Sequence, residues 1–277
     1  MVVIKTKGDQ LLDTPLAEIG GKGLFVKEIE EALLDRRIDL AVHSMKDVPA
    51  ELPPGLIISA TPAREDPRDV LISRENAAME HLPEGARIGT GSLRRAMQIR
   101  RQNQKVDVVP LRGNLDTRIG KVMEGALDGV IVAAAGMNRL GWEHRISQFL
   151  ATDVMLPAAC QGILGIETRR EDPLAEELQI LHDHTTWLEM TGERAFLKRL
   201  GGGCHLPVAI LGKVERGIIS LEALIGTEDG QVLIRQKNSG PMAEAEKLGD
   251  DLAKAMLQNG GQEILDAPEH FIKGEEK

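Results

Sequence analysis

Cys204 sits in a run of backbone-permissive residues, Gly201-Gly202-Gly203-Cys204-His205-Leu206-Pro207. Glycines remove every neighbouring Cβ, so a thiol on such a loop can be approached closely and could hold a group covalently. The same pattern also suits a buried free thiol in a tight turn, and the loop alone leaves both readings open. The chain has one further cysteine, Cys160, which argues against a disulfide framework. A second chemical cluster, His43-Ser44-Met45-Lys46-Asp47, follows the apolar stretch Ile38–Val42. If that stretch is a strand, Lys46 and Asp47 lie past its C-terminal end, where open α/β sheets bind ligands. A lysine–aspartate turn on the surface is the plainer alternative.

A third cluster is cationic. Between Glu84 and Lys121 stand nine basic residues (Arg87, Arg94, Arg95, Arg100, Arg101, Lys105, Arg112, Arg118 and Lys121) against three acidic ones (Glu84, Asp107 and Asp116). The whole chain carries a net charge of −9. That balance argues against general nucleic-acid binding, while the local excess suits a ligand with several carboxylates or phosphates. Arg100, Arg101 and Lys105 read as a solvated helix face. Gly89-Thr90-Gly91-Ser92 at a strand-to-helix junction offers backbone N–H groups and hydroxyls to an anion. It lacks the Lys-Ser/Thr ending of a P-loop and is read as a carboxylate cradle. His182, Asp183 and His184 lack companions at metal-ligand spacing, so no metal site is expected.

These groups need elements to carry them. At 277 residues, 42% hydrophobic and 28% charged, the chain is long enough for two or three domains with aliphatic cores, having four Phe, two Trp and no Tyr. No apolar run is long enough to span a bilayer and the start is not a signal peptide, so a soluble cytoplasmic protein is expected. The pattern predicts strands at Val2–Ile4, Ile38–Val42, Val70–Ile72, Arg87–Thr90, Val106–Leu111, Gly129–Ala135 and Ile163–Glu167, with a helix over Leu24–Asp35. Strand ends after Thr90, Leu111 and Ala135 would each present arginine: Arg94 and Arg95, then Arg112 and Arg118, then Arg139. Segments near Glu65–Asp69 and Leu156–Gly162 read as two crossings between lobes. A largely helical stretch from Glu176 to Leu200 leads to Cys204. The strands at Val208–Leu211, Ile218–Ile225 and Gln231–Ile234, then a helix over Ala243–Gln258, form a smaller α+β unit.

The expected fold is therefore α/β: two periplasmic-binding-protein-like lobes with a cleft, plus a small C-terminal α+β domain. The boundaries are 1–63 with 159–181, then 64–158, then 182–277.

Taken together, these residues resemble the porphobilinogen deaminase (hydroxymethylbilane synthase) family. The resemblance rests on LDTPL at Leu12–Leu16, GGKGLFVKE at Gly20–Glu28, AVHSMKDVP at Ala41–Pro49, REDPRD at Arg64–Asp69, GSLRR at Gly91–Arg95, LRGN at Leu111–Asn114 and GGGC at Gly201–Cys204. It implies a covalent dipyrromethane cofactor on Cys204 and stepwise addition of four porphobilinogen units with loss of ammonia. Water then releases hydroxymethylbilane in tetrapyrrole biosynthesis. It also implies Asp47 as acid/base, with Lys46, Ser44, Thr90, Ser92, Arg94 and Arg95 holding the cofactor, and Arg112, Arg118, Arg139 and Lys22 meeting substrate. A monomer is implied, with no nucleic-acid or membrane partner. The family begins with a further strand and helix upstream of the segment matching Met1, and exposed strand edges and an apolar surface are expected without them. Cys160 stands where the family more often has a small residue such as glycine, and is read as packing. The rival readings are an inactive truncated fragment and a non-catalytic anion-binding two-lobe module.

Overall fold

The protein, in a computed structural model, is described over residues 2–4, 6, 26–202 and 206–266. Lys22 with its neighbouring glycines, and Gly203, Cys204 and His205, lie outside the described residues. The fold is α/β, with three sheets among the described residues.

The first sheet has the order β1 (Leu40–Ser44), β8 (Leu164–Arg169), β2 (Leu56–Ala60), with β8 antiparallel to both neighbours. Helix α1 (Lys27–Leu34) packs Leu33 against Ala41 and Leu56. Val2–Ile4, expected as a strand, forms none, and Val2 and Val3 are exposed. Apolar residues alone do not make a strand without a partner in register. Among the described residues β1 is an edge strand, and its Leu40 and Val42 are exposed, as is Leu34 of α1.

The second sheet runs β5 (Asp107–Val109), β4 (Arg87–Gly89), β6 (Gly129–Ala133), β3 (Asp69–Ser73), β7 (Gln148–Leu150). β4 is parallel to β5 and β6, while β3 is antiparallel to β6 and β7. The central β3 and β6 are near-continuous apolar runs because both faces are covered. Helices α2 (Leu93–Gln102) and α3 (Leu115–Met123) connect the parallel strands. The expected strand through Ala135 stops at Ala133, and α4 (Ala134–Arg139) starts at once.

After the short α5 (Leu174–Glu177), the long α6 (His184–Arg199) and α7 (Ala245–Met256) cover the antiparallel sheet β11 (Leu233–Pro241), β10 (Ile218–Gly226), β9 (Val208–Glu215). A π-type turn then leads to α8 (Gln262–Asp266). One apolar core joins this layer to the first sheet: Met45, Val48, Ile58 and Ile163 share it with Phe196, Ile210 and Leu221. A smaller cluster, Met97 and Leu156 with Ala209, Leu211 and Leu224, seats α2 on the same layer.

The chain leaves the first sheet after β2 and returns to it at β8, so two segments, 61–68 and 151–163, cross between the first two sheets. They touch at Gly162, whose carbonyl accepts the Glu65 N–H at 3.2 Å and Arg139 Nη2 at 2.8 Å. Gly162 has φ +89°, and a Cβ there would overlap the Glu65 carbonyl oxygen. Gly85 also has a positive φ (+77°), but the space around it is open. Gly85→Ala should therefore cost only the left-handed backbone penalty, about 1 kcal/mol. Gly162→Ala should cost more than about 2 kcal/mol, because the crossings must part as well. Urea midpoints of the two variants check this; equal losses would contradict the tight crossing.

Candidate functional site

β1 delivers Ser44, and one 3-10 turn over Met45–Asp47 ends the strand. Met45 is buried and its backbone N–H donates to Ile163 O at 3.0 Å. It lies so close over Gly165 that a Cβ there would overlap its sulfur. With Met45 turned inward, Asp47 is left exposed and Lys46 and Ser44 half-buried. Beneath the strand, His43 Nε2 and Glu167 Oε2 form a buried pair at 2.8 Å. Beyond the turn, Arg194 of α6 donates to the carbonyls of Val48 (3.3 Å), Pro49 (2.6 Å) and Ala50 (2.9 Å). The loop bearing Asp47 is thus pinned on both sides, which suits an exposed group that must keep its place.

The second sheet supplies the cations. Thr90 follows β4, and Ser92 caps α2 by accepting the Arg95 N–H. Thr90 Oγ1 accepts the Ser92 N–H at 3.2 Å, which leaves both hydroxyl protons to be donated. Gly91 is required here because a Cβ would meet the Leu111 carbonyl at 2.7 Å. Arg112 follows β5, Asn114 caps α3, and Arg118 donates from Nε to Gly113 O at 2.8 Å. Burial lowers the Arg118 pKa, the positive Arg95 and Arg112 lower it further, and Asp47 opposes them. Burial likewise lowers the Lys46 pKa; Asp47 opposes it and Arg95 adds to it. Asp47 and Arg95 are thus near enough to act on both Lys46 and Arg118, and Arg112 near enough to act on Arg118.

Arg94 and Arg95 differ from the sequence expectation of freely presented cations. Both are buried, and both bind Asp69, the first residue of β3. Burial pushes the Asp69 pKa up, but Arg94 and Arg95 outweigh it and hold the carboxyl well below the usual range. Arg139 donates to Gly162 O at the crossing. Arg100 is not simply solvated: its Nη1 donates to Glu228 O at 2.7 Å, tying α2 to the β10–β11 turn. His182 lies against Trp187, with ring centroids 5.3 Å apart, and Asp183 caps α6.

Sequence reasoning missed a second buried hub. Glu193 of α6 accepts from the Cys160 N–H, the Gly212 N–H at 2.7 Å and Arg64 Nη1 at 2.6 Å. Arg64 also reaches Glu189 at 3.3 Å and Gln161 O at 3.0 Å. Cys160 is buried with φ +60°, a left-handed backbone that glycine takes more readily. The one signal in the sequence was the helical spacing of Glu189 and Glu193 in a segment with much apolar surface.

In this cluster Asp47 acts on Lys46 and Arg118, and Asp69 binds Arg94 and Arg95. Arg94 Nε is buried with no hydrogen-bond partner among the described residues. The arrangement defines an α/β protein with a cluster of cations and one exposed carboxylate beside it, a donor set whose chemistry fits a pyrrole-based cofactor bearing acetates and propionates. The family model described as "Porphobilinogen deaminase, dipyromethane cofactor binding domain" matches residues 1–177, and that described as "Porphobilinogen deaminase, C-terminal domain" matches 187–258. A porphobilinogen deaminase of Syntrophus aciditrophicus is 54% identical over 99% of this chain and 89% of its own length. Those of Syntrophotalea carbinolica and Syntrophobacter fumaroxidans are 49% and 48% identical over 96% and 95% of this chain, covering 85% and 86% of their own lengths. The chain belongs to the porphobilinogen deaminase family, transferases with a dipyrromethane cofactor.

The lowered Lys46 pKa carries a stability consequence. Its folded value lies below its unfolded one, so the unfolded chain keeps the proton to higher pH. The ammonium therefore costs stability at neutral pH, and the cost fades as pH rises towards about 10.4. Lys46→Met should be more stable than the parent at neutral pH, with the gap closing in alkaline buffer. A variant less stable at neutral pH would contradict this.

Proposed function

We propose that this site condenses porphobilinogen units head to tail, with Asp47 as the acid/base at each addition. The observation that supports it is the exposed carboxylate of Asp47 set among Lys46, Arg95, Arg112 and Arg118. Every pyrrole unit carries an acetate and a propionate, so a growing chain gathers negative charge that the arginines would meet in two-point geometry and Lys46 as a point charge. Ser44, Thr90 and Ser92 would add hydroxyl donors, Arg94 and Arg95 the inner cations, and Lys22 and Arg139 further contacts to substrate. Dipyrromethane, bound by a thioether to Cys204, supplies the pyrrole α-carbon at which the chain starts.

Asp47 then has two tasks. As the substrate's aminomethyl C–N bond breaks and ammonia leaves, positive charge spreads onto the ring nitrogen, and the carboxylate stabilises it in the transition state. Once the new C–C bond has formed, the attacked α-carbon must lose its proton, and Asp47 accepts it. Water ends the cycle by releasing hydroxymethylbilane. The pinned turn at Met45–Asp47 lets one carboxylate serve repeated additions without losing its position.

The three sheets support a division into 1–63 with 159–181, 64–158 and 182–277. The proposal extends to a monomer in the cytoplasm, and no helix among the described residues is long and apolar enough to cross a membrane.

Asp47→Asn should leave thermal stability near the parent's and cut hydroxymethylbilane formation about 10²- to 10⁴-fold. Parent-like turnover in the folded variant would sink the assignment. Cys204→Ala should give protein that does not colour with a pyrrole-reactive aldehyde in acid. A non-catalytic binding module would colour in neither form.

A further inference from the structure

Asp69 is fully buried, and four donated hydrogen bonds converge on its carboxylate: Arg94 Nη1 at 2.7 Å, Arg95 Nε at 3.0 Å and Nη2 at 2.7 Å, and Gln161 Nε2 at 3.0 Å. The donors come from two parts of the site's frame. Arg94 and Arg95 lie in the first turn of α2, next to the Thr90 and Ser92 cradle. Gln161 lies in the returning crossing and also donates to Pro67 O at 2.8 Å, in the outgoing one. Arg94 further donates to Leu156 O at 2.8 Å, and Gln98 of α2 holds both the N–H and the carbonyl of Leu156. Among the described residues, the further hydrogen bond of Arg95 runs from Nη1 to Ile131 O of β6 at 3.0 Å. One N–H on each terminal nitrogen of Arg95 is then left over for a ligand.

We propose that Asp69 is a positioning residue for carboxylate recognition: it fixes the Arg95 fork by its Nε and Nη2 edge, so that the leftover N–H groups keep one geometry, and it anchors that fork to both crossings. A guanidinium held on one edge by a fixed carboxylate loses little rotamer freedom when a second carboxylate arrives. Without Asp69, Arg95 would be a mobile cation beside Lys46, Arg94 and Arg118, which repel it. The inference rests on the reading that Arg95 meets the pyrrole carboxylates.

The test uses the full chain made in a host unable to synthesise porphobilinogen. The parent, Asp69→Asn and Arg95→Met are titrated with porphobilinogen, and the fraction of folded protein carrying the two-pyrrole mass increment is read by denaturing mass spectrometry. Thermal unfolding reports the folded fraction, and a carboxylate that only staples the fold would leave the half-loading concentration of that fraction unmoved. The proposal expects Arg95→Met to load poorly and Asp69→Asn to need about tenfold more porphobilinogen, the equivalent of one misplaced charge-assisted hydrogen bond. Folded Asp69→Asn loading at the parent's concentrations overturns the positioning role and leaves the function standing. Parent-like loading of Arg95→Met overturns it too. A parent that gains no pyrroles overturns the functional reading and this inference with it. Should Asp69→Asn fail to fold, the charge-balanced Asp69→Asn/Arg94→Gln is compared with Arg94→Gln: weaker loading of the double variant supports the role, and equal loading overturns it.

Discussion

A carboxylate taken out of water must be surrounded by donors or it will not stay charged, and two such carboxylates hold this molecule together. Asp69 gathers Arg94, Arg95 and Gln161 on the side of the second sheet. Glu193 gathers Arg64 and the backbone N–H groups of Cys160 and Gly212 on the side of the third. Both sit where the chain crosses between the first two sheets. Removing Arg64 would strip the buried Glu193 of its close countercharge, and losing any other partner would leave a buried carboxylate short of a hydrogen bond, so each hub demands that its elements be in place together. The crossings are therefore joints clamped from two directions.

The placement of the reacting group follows from that frame. Helix α6 carries Glu189 and Glu193 towards the crossings and Arg194 towards the carbonyls after Asp47. The shared core of Met45, Val48 and Phe196 fixes the same turn from below. Anchors point inward and Asp47 points out, so a rigid support presents a solvent-accessible carboxylate. On the facing side, the second sheet aligns β4, β5 and β6 in parallel, and the residues after the first two bring Arg95, Arg112 and Arg118 towards Asp47. α2 is the link between the two halves of this arrangement: its first turn bears the cradle, and Met97 packs on the third layer.

Much of this was legible in the sequence. Apolar runs located β3, β4, β5 and β6 to within a residue or two but passed over the short β7 and, in the first sheet, β2; the placement of Lys46 and Asp47 just past a strand follows from the same periodicity. The clustering of arginine at successive strand ends was legible because charge density needs no tertiary knowledge. What a given arginine binds was not. Arg94 and Arg112 look alike in sequence, yet Arg94 is spent on Asp69 and Leu156 while Arg112 lies near Arg118, which in turn feels Asp47. Asp69 is one of several acidic residues in Glu65–Asp69, and only the fold shows that it is the buried one. Val2–Ile4 misled for the complementary reason: β-branched residues mark strand propensity, but pairing decides. Cys160 reads as packing and is buried as packing requires, but its left-handed backbone at a crossing has no signature in composition.

The central claim is that this frame builds an oligopyrrole on the protein itself, one unit at a time. Brief exposure of the full chain to limiting porphobilinogen, quenched in acid and followed by denaturing mass spectrometry, tests it directly. The account predicts a ladder of masses above the cofactor-bearing protein, spaced by one pyrrole unit each and collapsing to the cofactor-bearing mass as hydroxymethylbilane is released. A single unchanging mass, with porphobilinogen unconsumed, would contradict it.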